Sequence, residues 1–150
     1  MVIRGVIVFI MSVVFVSAAM AAGSSSSSTK RNTGDYEQGV KAIKVAHYEK
    51  ALALFGRVVE SEPNNADAWN YIGFSNRKLH RFDDALGAYQ RALEIDPDHR
   101  GANEYLGELY LQNDDLPKAR DHLNRLDKIC TFGCEEFDDL KAAIKAYETK

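Results

Sequence analysis

The sequence predicts an all-α solenoid: three helix-turn-helix repeats followed by a C-terminal capping helix. Three observations predict it. Ala51, Ala85 and Ala119 recur every 34 residues with no insertion between them. Around each alanine the same residue sizes return: Gly39, Gly73 and Gly107 before it, and Phe55, Tyr89 and Leu123 after it. Pro63 and Pro97 end the first two units, with Thr131 in the third place. A unit of this length cannot bury an apolar face alone, so successive units must stack.

The first element in chain order lies outside the repeats. Arg4, an apolar run from Val6 to Val16, and the small residues Ser17, Ala18 and Ala19 follow the order of a secretory signal peptide. Ala19-Met20-Ala21 fits the cleavage pattern, which makes residues 1–21 a removable signal. The alternative is an uncleaved membrane anchor, because Val2–Ala22 has about the length of a bilayer core. Residues 22–32 carry five consecutive serines and read as a flexible linker.

The units then run 32–65, 66–99 and 100–133, so residues 33–133 hold the repeats. In the second, helical stretches are expected over Ala66–Leu79 and Phe82–Ile95, with Asn64-Asn65 as N-cap candidates and Pro97 as a stop. Gly73, Ala85 and Ala92 are small where two helices approach to about 8–10 Å. Pro117 suits a helix start in the third unit. Residues 134–150 form the capping helix, with Phe137, Leu140, Ala143, Ile144 and Tyr147 on one stripe.

These residues resemble the tetratricopeptide repeat family. The middle unit carries Trp69, Ile72, Gly73, Ala85, Tyr89, Ala92 and Pro97. The first has Asp35 in place of the aromatic, and the third departs at Asn103, Leu126 and Thr131. The resemblance implies a small exported repeat protein whose first helices line a concave groove for a peptide or partner helix. Carried over position by position, the groove residues are Tyr36, Val40, Ile43 and Lys44, then Asp67, Asn70, Phe74, Arg77 and Lys78, then Glu104, Glu108, Leu111 and Gln112. Their charges run from basic near Lys44, Arg77 and Lys78 to acidic near Glu104 and Glu108, which would orient a dipolar ligand. Phe74 stands out because it has no packing role within its own helix pair. The carboxylate clamp of chaperone-binding members is absent, since its places hold Tyr36, Val40, Tyr71, Gly101 and Tyr105.

Composition narrows the function classes. With 150 residues, 27% charged and a net charge of −3, the chain is not suited to neutralising phosphates, so no nucleic-acid partner is expected. Cys130 and Cys134 are the only thiols. Helical spacing would bring their Cα atoms to about 6 Å, and an exported chain meets an oxidising compartment, so a disulfide is expected. It would pin the turn that lacks a proline. The competing function is thiol-redox or copper chemistry at this C-x3-C pair, although the acidic residues 135, 136, 138 and 139 do not favour a thiolate.

His47, His80, His99 and His122 are scattered and read as surface residues, with no metal spacing. The doublets Asp83-Asp84 and Asp114-Asp115 read as helix-start residues rather than a catalytic pair. No nucleophile elbow, phosphate loop or zinc signature is present, so neither enzyme activity, a cofactor nor a small-molecule substrate is expected. The expected function is a protein-interaction module, an adaptor or scaffold in the periplasm or secreted, or held at the membrane if the N-terminus is not cleaved. Self-association through a first helix weakened by Gly34 and Asp35 is a further expectation.

Overall fold

The computed structural model describes residues 25–149, with side chains from Thr33 onward. The expected signal or anchor over residues 1–21 lies outside the described residues. Seven helices follow in order: α1 (Ser25–Lys44), α2 (Tyr48–Ser61), α3 (Ala66–Lys78), α4 (Phe82–Ile95), α5 (Arg100–Gln112), α6 (Leu116–Ile129) and α7 (Glu135–Glu148). Each packs on the next, and α5 also meets α3 and α7, so the odd-numbered helices form one wall of an all-α solenoid. Among the described residues no helix is long and apolar enough to cross a membrane.

The helix starts show how the sequence enforces this path. Asn65 Oδ1 accepts from Ala68 N at 2.9 Å, and Asp115 Oδ1 from Lys118 N at 3.2 Å, satisfying free amides of α3 and α6. His99 caps α5 in the same way through Nδ1, at 3.1 Å from Ala102 N. The three turns inside the repeats share one geometry. Ala46, His80 and Asp114 have φ of 56°, 59° and 58°, and the next residue donates back to Ala42, Asn76 and Tyr110 carbonyls at 2.9, 2.9 and 2.8 Å. A left-handed residue followed by this long return bond ends a helix within two residues.

Three apolar clusters fill the interior: Ala42, Ala51, Leu54, Phe55, Val58 and Ala68; Ala85, Tyr89, Leu106 and Leu109; and Ala119, Leu126, Leu140 and Ile144 with their neighbours. The repeated glycines set the helix separation. A Cβ at Gly39 would lie 2.7 Å from Phe55, and one at Gly73 would lie 2.5 Å from Tyr89. The third repeat departs from the sequence register. A Cβ at Gly107 would lie 2.6 Å from Leu140 of α7, whereas Leu123, the formal counterpart of Phe55 and Tyr89, is half-buried at the C-terminal cluster.

Three sequence expectations need correction, while residues 25–32 of the expected linker have helical backbone within α1. No glycine or proline interrupts the chain between Ser25 and Thr33, and serine is only a middling helix former, so an anchored helix can propagate upstream. Asp35 does not weaken the first unit: it is buried, and Arg57 of α2 donates to both its oxygens at 2.8 Å. This bidentate pair holds α1 on α2. Asn103, a departure from the pattern, donates to Pro97 O at 3.2 Å, as Trp69 Nε1 does to Pro63 O at 2.9 Å. Both tie the start of a repeat to the proline of the preceding junction.

His99 and His122 are not free surface residues. Because Nδ1 of His99 accepts, its Nε2–H donates to Asp67 Oδ1 at 3.0 Å. His122 stacks on Tyr110 and, since Asn103 Nδ2 already donates to carbonyls, gives its Nδ1–H to Asn103 Oδ1 at 3.0 Å. Burial lowers the His122 pKa, which keeps the ring neutral.

Candidate interaction groove

A cleft of 320 Å³ lies on the wall formed by α3, α5 and α7, lined by Arg77, Lys78, Glu108, Leu111, Gln112, Ala143, Ala146 and Tyr147. A second cleft of 440 Å³ adjoins it, sharing Arg77, Lys78 and Gln112 and reaching His80 and Phe82. Five residues expected in the groove, Arg77, Lys78, Glu108, Leu111 and Gln112, therefore meet at one place.

Their chemistry differs from the expected gradient. Arg77 is only 7% exposed, and its guanidinium binds Glu108 at 2.7 Å. The same guanidinium carbon lies 5.7 Å from the Phe74 ring centroid and 5.4 Å from that of Tyr105. Sandwiched between rings and neutralised by a carboxylate, Arg77 holds α3 to α5 rather than presenting a free cation. Its Nε remains buried without a hydrogen-bond partner.

Glu104 is buried as well, and its pKa rises to about 8, first because of burial and then because Glu108, Asp139 and Glu136 lie near, with Arg77 opposing. Near neutral pH it is mostly protonated. The basic-to-acidic polarity is thus weakened, since one expected cation is paired and burial disfavours the charge on one expected anion. Lys44 and Lys78 remain exposed, and the Lys78 ammonium sits 5.1 Å from the Phe74 ring centroid.

The other expected groove residues are mostly packing groups. Tyr36 lies edge-on to Phe55 and Tyr71, with centroids 5.6 and 6.0 Å away, and burial first, then Asp67 and Tyr71, pushes its pKa up to about 12. Val40 and Ile43 pack against the first apolar cluster, and Leu111 belongs to the last. Asn70 is buried with Oδ1 unpartnered. Phe74 has no ring contact inside its own pair but bridges units, 6.1 Å from Tyr48 of α2 and 5.1 Å from Tyr105 of α5. Its aromatic character therefore serves stacking of the array. Asp67 is exposed and engaged with His99.

Sequence reasoning missed Ala143, Ala146 and Tyr147, because α7 was read only as a cap. A signal was present: the 34-residue spacing that joins Lys44, Lys78 and Gln112 continues to Ala146, and the one joining Ile72 and Leu106 continues to Leu140. In this register α7 is the first helix of a further repeat. Tyr147 is fixed by donating to Asp114 Oδ1 at 3.0 Å.

At the far end of α6, Cys130 and Cys134 lie with Cα atoms 5.6 Å apart, a separation that a disulfide can span. Cys130 ends α6, where its amide donates to Leu126 O at 2.9 Å, and Cys134 precedes α7. Among the described residues no three His, Cys, Asp or Glu side chains are grouped to hold a metal ion.

Comparison with known proteins completes the description. The sequence profile of the tetratricopeptide repeat matches residues 34–74 and 75–133. No curated protein matches the chain in sequence. Among solved structures, MamA from Desulfovibrio magneticus RS-1 is 24% identical with a TM-score of 0.61, covering 65% of this chain. This chain spans 55% of the length of that MamA chain. The first repeat domain of Spaghetti (RPAP3), solved with the HSP90 peptide SRMEEVD, is 17% identical with a TM-score of 0.69, covering 79% of this chain and 94% of its own. SycD, a type III secretion translocator chaperone of Yersinia enterocolitica, is 15% identical with a TM-score of 0.71, covering 80% and 93%.

Proposed function

The chain belongs to the tetratricopeptide repeat family, and from that premise we propose a non-catalytic adaptor that holds a peptide or partner helix against α3, α5 and α7. A protein-interaction module is what this fold serves in its structural neighbours, one of which is solved with a bound peptide. The observation that carries the finer reading is the cleft of 320 Å³ whose exposed rim combines Lys78, Gln112 and Ala146 over an apolar floor of Leu111 and Ala143. Small and amphipathic groups lining a cleft fit an extended or helical ligand.

The adaptor works after export, in the periplasm or outside the cell. What supports this is the order of charge, apolar run and A-x-A motif over residues 1–21, together with two cysteines positioned for a bridge. Intact-mass measurement of envelope-localised protein should begin at Ala22, and a thiol count without reductant should find no free thiol. A mass that retains Met1, or two free thiols, contradicts this part.

The groove reading is tested by capturing partners from an envelope extract with the intact protein and with Ala146→Trp. Ala146 is exposed, so an indole there fills the cleft without disturbing the core. Retention of the partner should fall by about tenfold or more, equivalent to about 1.4 kcal/mol. Unchanged retention contradicts the groove as the binding surface.

A further inference from the structure

Among the described residues two large hydrophobic side chains are exposed, and they sit at opposite ends of the solenoid: Val45 at 60% and Phe132 in full. Phe132 is the tip of Thr131-Phe132-Gly133, between Cys130 and Cys134. Gly133 has a φ of +84° and its amide donates to Cys130 O at 2.8 Å, so the short loop turns outward and stands the phenyl group in water. Burying such a ring removes apolar surface from water and so favours a contact. Its surroundings are acidic: Asp127, Glu135, Asp138 and Asp139 are exposed, against Lys128.

The opposite end is complementary. A depression of 230 Å³ beside the α1–α2 turn is lined by Gln38, Lys41, Ala42, Val45, His47 and Lys50. Ala42 and Val45 provide an apolar floor, and the lining carries two lysines and no carboxylate. Glu37 and Glu49 are exposed nearby, as is Lys44.

We propose that the occupant of this depression is a second copy of the chain, whose Phe132 enters over Ala42 and Val45 while its acidic loop faces Lys41 and Lys50. Two different surfaces at opposite ends make a heterologous contact, which does not close on itself and builds head-to-tail strings. The contact leaves the cleft on α3, α5 and α7 open. It also differs from self-association through a weak first helix, because Arg57 holds Asp35 and thus α1. One finger and a few charges make a small interface, so assembly is concentration-dependent and weakens with salt.

Sedimentation velocity of the purified chain over a concentration series tests this. The weight-average mass should climb past the dimer as concentration rises and fall back in high salt. Phe132→Ala, which leaves no cavity, should remain monomeric, and so should Lys41→Glu combined with Lys50→Glu. An equimolar mixture of these two variants retains one intact phenylalanine and one intact depression, so it should form a dimer and stop there. A constant mass for the parent chain, undiminished assembly of Phe132→Ala, or a monomeric mixture overturns the proposal. So does a parent chain that stays monomeric but floats with anionic or zwitterionic vesicles through Phe132, which would assign the finger to a lipid surface.

Discussion

In the second repeat, Gly73 faces Tyr89, a side chain of its own partner helix; in the third, Gly107 faces Leu140, which belongs to the helix that follows. The backbone register is the same, but the second repeat closes its own interior and the third borrows from α7. Electrostatics differ in the same sense. Trp69 makes a single indole bond to the preceding proline carbonyl, while Asn103 at the equivalent place joins Pro97, His99 and His122 into a polar network. A repeat that lacks the full aromatic complement is completed by its neighbour and by hydrogen bonds. The helix that completes it also supplies one side of the cleft.

The strongest way to break the third repeat alone is Leu140→Ala. Leu140 is fully buried against Gly107, so its truncation should cost about 3 kcal/mol, read as a shift in urea midpoint. Hydrogen exchange should then accelerate in α5, α6 and α7 while α1 and α2 keep their protection. Uniform acceleration would show that the third repeat is no more dependent on α7 than the others are on their neighbours.

Next in size is a matched pair. Gly73→Ala drives a methyl group to 2.5 Å from a buried, rigid tyrosine ring, and Gly107→Ala drives one to 2.6 Å from leucine methyl groups. Both overpack the core, by about 1–3 kcal/mol, with Gly73→Ala at the upper end because a leucine can rotate where a ring cannot. Thermal melts of the two variants check the order, and equal losses would remove the distinction.

Glu104 sharpens the contrast through pH. Its pKa of about 8 in the folded chain stands above the ordinary 4.5, so the fold binds this proton more tightly than the unfolded chain does. The stability it confers is complete below 4.5 and is lost as pH rises towards 8. The melting temperature should therefore decline between about pH 4.5 and pH 8 and level off above that, and Glu104→Gln should flatten the decline. A variant with the parent's pH slope would contradict the assignment.

The smallest effect is expected far from these sites. Ala46 holds a left-handed conformation, so Ala46→Gly should raise stability by up to about 1 kcal/mol in the same urea assay.

Much of this was legible in the sequence. The 34-residue recurrence of small and bulky residues carries the helix pairs and their packing glycines, because a helix interface of fixed separation demands the same sizes at the same places. Asp35 and Asn103 were opaque, since their partners Arg57 and His122 lie on other helices and no local pattern announces such a pair. Within the groove, Lys78 and Gln112 were legible as exposed first-helix positions. Arg77, Glu104 and Leu111 were not, because their burial depends on the rings of Phe74 and Tyr105 and on α7 closing over them. The continuation of the register to Leu140 and Ala146 was the available clue that α7 belongs to the array.

The adaptor account is tested most directly by photocrosslinking in the intact envelope, with benzoylphenylalanine placed at Gln112 or Ala146 at the cleft and at Gln90, exposed on α4. The account predicts that positions 112 and 146 capture one and the same partner protein and that position 90 does not. Capture of that partner from position 90, with none from 112 or 146, would place the interaction elsewhere on the molecule and contradict the groove.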